Sequence, residues 1–266
     1  MKTSRIKNII IVILALVNAF LLVLLLGRRN EQRVAYERSV EQLSLLLTNS
    51  GIAFDTSLLP GDASFPAAEL VHDTAAEAAF ARALLGDDAA ARSTGSGSSV
   101  YESERGSLQF RANGLVDGNL NRSVEDPVDF LSTVLSSLGY RFDTSSIHSS
   151  GSGTVAAVRE VDGVKIFNAP LTLTFENNIL ISVSGSFLPS VTPTAPTGTT
   201  DAISALVRFL DYRNSNGLVC TEISSLTYGY FLQSTAASAK LVPAWHIVTD
   251  VGKYYVNLAA GEVTRE

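Results

Sequence analysis

The sequence predicts an α+β fold in which a single N-terminal transmembrane helix precedes duplicated helix–antiparallel-sheet units. Three observations predict this class. An apolar run of eighteen residues occupies positions 9–26. The order helix–strand–strand–strand then occurs twice, at roughly 125–187 and 201–264. Hydrophobic residues make up 46% of the chain, which is enough to build a packed core instead of a disordered tail.

The apolar run is interrupted by one strongly polar residue, Asn18. At about 1.5 Å per residue a helix of this length reaches roughly 27 Å, which nearly matches the hydrocarbon core of a bilayer. Basic residues flank both ends and no small-residue cleavage site follows, so we expect an uncleaved anchor. Residues 1–7 are then a short cytoplasmic tail, residues 8–27 the transmembrane helix, and the remainder an extracellular domain on the cell membrane.

Asn18 would lie at mid-bilayer depth, where polar side chains are costly and often have partners. It could donate a hydrogen bond to a neighbouring helix, or its amide could bond a backbone carbonyl of its own helix. Ala15 shares a face with Asn18 at a spacing of three residues and would allow a neighbour to approach closely. Ala15 and Asn18 are therefore candidate partner-binding residues.

The first soluble region, residues 28–120, is expected to hold a juxtamembrane helix and a first α/β unit. The helix runs over residues 31–49 and ends at Asn49-Ser50-Gly51, because glycine commonly follows the last helical residue. A second helix is predicted from roughly Thr74 to Leu85. Two strands around Arg105-Gly106 follow it, and this helix with its two strands would be a degenerate third copy of the repeated unit.

The second unit, residues 121–189, begins with a helix at Asp126-Pro127, since proline suits a first helical position. Strands over about 155–161, 164–175 and 179–187 alternate polar and apolar residues, which predicts a half-buried antiparallel meander. Residues 190–200 form a Pro/Thr linker. The third unit, residues 201–266, is predicted to hold a helix over 201–213 and strands near 220–233, 241–249 and 254–258.

The chain carries little that indicates catalysis. Its net charge of −6 argues against nucleic acid as a partner, because phosphate neutralisation needs a clustered basic face. Cys220 stands alone and cannot form an internal disulfide. The three histidines, His72, His148 and His246, show no metal-ligand spacing, and no nucleophile elbow or phosphate loop is present. We therefore expect no enzymatic activity, no metal and no cofactor; His246 could line a groove, although an ordinary strand histidine is favoured.

Aromatic residues concentrate in the final hairpin, at Trp245, Tyr254 and Tyr255. If exposed, they would mark a binding surface, and if buried they would be core of the last sheet. Core is favoured for two of the three. Trp245 and Tyr254 nevertheless join Ala15 and Asn18 as candidate partner-binding residues.

Several stretches carry a resemblance that covers nearly the whole chain. They are the short basic tail with one anchor, Leu46-Leu47 to Gly51-Ile52, Leu58-Leu59-Pro60, Glu77 to Gly86, Asp162 to Ala169 followed by Gly185, Val242 to Ile247, Tyr254 to Asn257, and Gly261 to Val263. With these stretches the sequence resembles the YycI/YycH family, whose members are membrane-anchored regulators of the WalK–WalR (YycG–YycF) two-component system of Gram-positive bacteria. The closing stretches are also similar to PepSY-like domains.

The resemblance implies a non-catalytic protein of cell-wall signalling. Its implied partners are a sensor histidine kinase and a paralogous anchored regulator, which it would contact through the anchor and the extracellular domain. Two alternatives remain open: a PepSY-type inhibitor or chaperone of a surface peptidase, and a module that binds wall fragments or lipid in a groove between sheets.

Overall fold

The structure, a computed structural model, describes residues 33–60, 67–94, 97–194, 201–235, 238–257 and 260–266. The chain divides into two units, Met1–Thr56 and Ser57–Glu266. The apolar run at 9–26, with Ala15 and Asn18, lies outside the described residues. Among the helices that the structure does describe, none combines the length and the apolar character that a membrane crossing requires.

In the first unit, helix α1 covers residues 33–49 and strand β1 covers Ala53–Phe54. The helix ends as the sequence predicts. Gly51 takes a left-handed φ of 73°, the amide of Ile52 donates to the carbonyl of Leu47 at 2.9 Å, and the amide of Gly51 donates to that of Thr48 at 3.0 Å. These two bonds form a Schellman motif, which satisfies carbonyls that the helix end would leave open.

The second unit consists mostly of strands, which join into one large mixed sheet made of two antiparallel parts; we call these parts the first and the second sheet. The first sheet has the order β3-β4-β5-β6-β10-β9-β8-β7. Its strands are β3 Ala90–Thr94, β4 Ser98–Ser103, β5 Gly106–Phe110, β6 Leu115–Ser123, β7 Tyr140–Phe142, β8 Gly153–Val161, β9 Val164–Glu176 and β10 Ile179–Ser186. The second sheet has the order β11-β2-β13-β12, with β14 and β15 continuing from β13. Its strands are β2 Ala68–Val71, β11 Ser190–Pro193, β12 Glu222–Ser234, β13 Ala239–Thr249, β14 Gly252–Asn257 and β15 Glu262–Arg265.

Three further helices are α2 Thr74–Leu85, α3 Pro127–Leu135 and α4 Ala202–Ser215, and each begins after an aspartate. The side chains of Asp73, Asp126 and Asp201 accept hydrogen bonds from amides of the first helical turn, which would otherwise be unsatisfied. Helices α2 and α3 cover the first sheet, where the large buried side chains include Phe80, Phe110, Leu131, Phe175 and Phe187. Helix α4 lies against β14 and β15 of the second sheet.

The two sheets meet through a short parallel step between β9 and β12, at Ile166 and Tyr230. Beside it, the side-chain amide of Asn168 makes two hydrogen bonds to the backbone of β12, as a neighbouring strand would. Its nitrogen donates to the carbonyl of Leu232 at 2.9 Å, and its oxygen accepts from the amide of Leu232 at 2.7 Å. Ile166 is fully buried, so the step is also a point of apolar packing.

A second contact, made by Tyr140 of β7, holds the first sheet to the segment at the end of β10. The hydroxyl of Tyr140 donates to the carbonyl of Ser186 at 2.9 Å and accepts from the amide of Leu188 at 2.9 Å. The Arg159 guanidinium lies 5.8 Å from the centre of the Tyr140 ring. Burial raises the pKa of the Tyr140 hydroxyl to about 12, so the group stays protonated and can donate at neutral pH.

The predicted fold class, α+β with a single N-terminal transmembrane helix and duplicated helix–antiparallel-sheet units, is wrong for the residues that the structure describes. Strands predominate, and they join into one mixed sheet instead of separate modules. The cause is pairing between distant segments. Strand β6 continues the 153–186 meander, while β2 and β11 extend the sheet of the last unit. Residues 190–193, which were predicted to be part of a linker, form strand β11. Helices α2 and α3, which were predicted to belong to different units, both cover the first sheet.

Candidate functional site

A cleft of about 620 Å³ opens on the second unit where β9 and β12 part beyond the Ile166–Tyr230 step. We call it the aromatic cleft. Strands β9, β12, β13 and β14 form most of its walls, and Glu266 also lines it. Its lining includes Phe167, His246, Tyr255, Lys165, Lys253 and Glu266.

Strand register places two of the rings side by side. In the antiparallel pair of β13 and β14, His246 lies opposite Tyr255, so both side chains project from the same face. Their neighbours Trp245 and Tyr254 project from the other face, because successive side chains alternate along a strand. The sequence Trp-His on one strand and Tyr-Tyr on the next therefore splits into a cleft pair and a core pair.

Phe167 completes a group of three rings. Its ring centre lies 4.9 Å from that of His246 and 5.6 Å from that of Tyr255, and the His246 and Tyr255 centres are 5.0 Å apart. The ring planes are tilted by 22° to 35° from one another, which is close to stacked packing. The three rings give the cleft a wall of aromatic carbon.

Gly229 makes room for this wall. A Cβ atom at this position of β12 would lie 2.5 Å from two atoms of the Phe167 ring and 2.6 Å from the carbonyl oxygen of Lys165. No side chain fits at that distance, so glycine is the residue that lets Phe167 lie against β12. The backbone φ of Gly229 is not in the left-handed region, and close approach is the sole demand that it meets.

The rim of the cleft carries both signs of charge. Lys253 and Glu266 form an ion pair at 3.1 Å with both side chains about half exposed, while the exposed Lys165 has no ion pair within the described part of the chain. Burial, together with the nearby Glu266 carboxylate, raises the pKa of Tyr255 to about 12. Burial lowers the pKa of His246, against the opposing effect of Glu266.

His246 is therefore neutral at physiological pH, and its Nε2 atom is buried without a hydrogen-bond partner among the described residues. Within those residues, no cluster of three or more histidine, cysteine, aspartate or glutamate side chains could hold a metal ion. The cleft offers ring faces, aliphatic stems and charged ends. Such a lining suits a ligand that is held by apolar and aromatic contact and oriented by charge.

Two of the sequence-predicted partner-binding residues, Trp245 and Tyr254, do not line the aromatic cleft. Trp245 and Tyr254 are both 0% exposed. The Tyr254 ring packs against Phe209 and Tyr212 of α4, with ring centres 5.0 and 6.0 Å apart. Their burial supports a core role, and Ala15 and Asn18 fall outside the described residues, so partner binding by these four residues stays a prediction.

The other groups weighed from the sequence do not converge on the cleft. His72 pairs with the buried Glu77 at 3.2 Å, and His148 is exposed in a loop. Cys220 is fully buried, and burial raises the pKa of its thiol. Sequence reasoning noted His246 as a possible groove residue but missed Phe167. The available signal was a large aromatic directly after an apolar strand residue, Ile166, and so on the opposite face.

No protein-family profile matches this sequence, and no curated protein matches it. A solved structure of an uncharacterized protein from Eubacterium rectale is similar to it, with 10% identity and a TM-score of 0.44. The similarity covers 77% of this chain and 82% of that one. The resemblance to the YycI/YycH regulators accordingly stays a prediction from the sequence.

Proposed function

We propose that the protein is an extracellular binding protein that regulates a membrane-bound sensor histidine kinase, and that the aromatic cleft is its recognition site. The observation that supports this best is the wall formed by Phe167, His246 and Tyr255. Aromatic side chains that line a concave site supply much of the binding energy in protein recognition. The kinase as partner rests on the family resemblance, as does a paralogous anchored regulator as a second partner.

The proposal includes attachment to the cell membrane, with the N-terminus in the cytoplasm. That part is supported by the apolar run at 9–26 and its basic flanks alone. The cleft itself favours a second candidate function, binding of a wall fragment or lipid, because a cavity of about 620 Å³ is large enough for a small ligand.

The test compares full-length chains co-expressed with the sensor kinase of the same genome. We expect Phe167→Ala to reduce recovery of the kinase, because it removes the ring that covers His246 and Tyr255. Phe142→Ala, which truncates a half-buried aromatic on the edge strand β7 outside the cleft, is the control. A thermal melt of each variant verifies that the domain remains folded.

A different result would place recognition elsewhere. If Phe167→Ala keeps full kinase recovery and signalling while exchange of residues 9–26 for an unrelated anchor abolishes both, the membrane segment carries recognition. If neither change affects kinase recovery but Phe167→Ala abolishes binding of purified muropeptides, the wall-fragment function replaces the kinase proposal.

A further inference from the structure

A second cleft, far along the first sheet from its joint with β12, gathers three arginines. It lies between the C-terminal end of α2, the β4–β5 turn and the end of β6, and its volume is about 630 Å³. Arg82 comes from α2, Arg105 from the β4–β5 turn and Arg122 from β6. We call it the guanidinium cleft. Nothing in the proposed function uses it.

Arg122 is the least exposed of the three and has an unsatisfied group. It pairs in register with the fully buried Leu180, so its side chain projects from the face that α2 and α3 cover. Its guanidinium lies 5.2 Å from the centre of the Phe130 ring. The Nη1 atom is buried and has no hydrogen-bond partner among the described residues. A buried donor without a hydrogen-bond partner is costly, and the nearby Asp87 carboxylate offsets part of the cost of its charge.

Arg105 is held in place by the end of α2. Its Nη1 atom donates to the carbonyl of Leu85 at 2.9 Å and to the Asp88 carboxylate at 3.3 Å. The guanidinium occupies the space where a side chain at Gly86 would begin, so the glycine admits it. The hydrogen bond from Arg105 to the Leu85 carbonyl also satisfies an acceptor at the end of α2, and the positive guanidinium offsets the negative end of the helix dipole.

The charges in the cleft favour an anion. Three guanidinium groups face two carboxylates, Asp87 and Asp88, and Asp88 is engaged by Arg105. Neither Arg82 nor Arg122 has an ion pair within the described residues. Positive charge accumulates here although the whole chain carries −6. Burial lowers the pKa of Arg122 and the nearby Arg105 lowers it further, while the Asp87 carboxylate acts in the opposite direction.

We propose that the guanidinium cleft binds a phosphate-type oxyanion. Guanidinium groups donate in planar forks, and a tetrahedral anion with several oxygens can accept from more than one fork at once. A carboxylate offers two oxygens in one plane and matches three converging forks less well. Two sources share this chemistry, a soluble phosphate compound and a phospholipid headgroup. The adjoining hollow is lined by Ala83, Phe130 and Val134 together with the carboxylates Glu125, Asp126 and Asp129, so it adds no positive charge to the site.

The experiment uses the full-length chain in detergent, with inorganic phosphate as the probe and calorimetric titration as the measurement. We expect phosphate to bind, and Arg122→Gln to weaken it about tenfold or more, since hydrogen bonds to charged groups are the strong ones. Arg92→Gln is the matched control, because Arg92 lies on β3 of the same sheet, is 73% exposed, and pairs with Glu102 outside the cleft. Its phosphate affinity should be unchanged.

Two further arms complete the test. Arg82→Gln should also weaken phosphate binding, because Arg82 lines the cleft. Since the Arg82 side chain is exposed, this variant should keep the fold even if Arg122→Gln unfolds. Vesicles of phosphatidylglycerol and of phosphatidylcholine distinguish a lipid headgroup from soluble phosphate: selective binding to phosphatidylglycerol, lost in Arg82→Gln, assigns the lipid. The proposal is overturned if phosphate and phosphatidylglycerol bind no better than chloride at equal ionic strength, if acetate competes as well as phosphate, or if neither cleft variant differs from Arg92→Gln.

Discussion

Gly229→Ala should disrupt the aromatic cleft more than any change to a ring at its surface. The new Cβ would lie 2.5 Å from the Phe167 ring and 2.6 Å from the carbonyl oxygen of Lys165. The ring can rotate away, but the carbonyl belongs to β9, so the strand itself must shift. Phe167 then leaves its position over His246 and Tyr255, and the wall of the cleft is lost.

The expected magnitude follows from two opposing effects. Overpacking of this kind costs about 1–3 kcal/mol. Replacing a glycine inside a strand by alanine recovers roughly 0.5–1 kcal/mol of backbone entropy. The midpoints of these two ranges leave a net loss of about 1.3 kcal/mol in the free energy of unfolding. For a unit of this size that loss lowers Tm by about 3–5 °C, measurable by differential scanning calorimetry.

A double-mutant cycle with Phe167→Ala tests the contact itself. Removing the ring relieves one of the two clashes, so Gly229→Ala should cost less in the Phe167→Ala background. Additivity of the two changes within about 0.5 kcal/mol would refute the reasoning, because residues in contact do not behave independently. An unchanged Tm for Gly229→Ala alone would show that β9 yields at no cost.

Three other predictions follow from single groups. Tyr140→Phe leaves the backbone carbonyl and amide that its hydroxyl joins without partners, so urea denaturation should show a loss of about 1–3 kcal/mol, and a loss under about 0.5 kcal/mol would contradict the bridge. His246 has a lowered pKa in the folded chain, so its contribution to stability is fully present above about pH 6.5 and is lost as the pH falls. The midpoint of unfolding should therefore decrease as the pH falls below about 6.5, and this decrease should be smaller in His246→Gln. The hydroxyl of Thr221, which donates to Asp250 at 2.6 Å, holds the pKa of that carboxyl at about 2. Stability from this group is lost only as the pH falls from about 3.9 through that value, and carboxyl NMR should show the Asp250 midpoint rise in Thr221→Val.

Helix positions could be predicted from the sequence because their signals are local. Helix α2 is found at Thr74–Leu85 as predicted, with Asp73 before it and Gly86 after it. Strand β6 was missed for an equally local reason. Its residues 115–123 are mostly polar, and the face that carries the buried Val116 and Leu120 also carries Gly118 and Arg122, which give no apolar signal.

The sheet order and the cleft could not be predicted, because both depend on pairing between segments far apart in the chain. Nothing near Ile166 indicates that Tyr230 will lie beside it. The aromatic cleft lies next to this paired step, so its position also depends on how β9 and β12 meet. His246 could be noted from the sequence as a possible groove residue, and the alternation after Ile166 could have marked Phe167, but that the Phe167 ring covers His246 depends on its close approach to Gly229.

The joint between the two sheets also has a mechanical meaning. The backbone ladder between β9 and β12 has one paired step, and the two hydrogen bonds of the Asn168 amide reinforce it. By contrast, β12 and β13 are paired along eleven positions. A pulling force carried along the protein would concentrate on the joint, so the two sheets should separate there while each remains intact. If tension reaches this domain, the joint is where it would yield first.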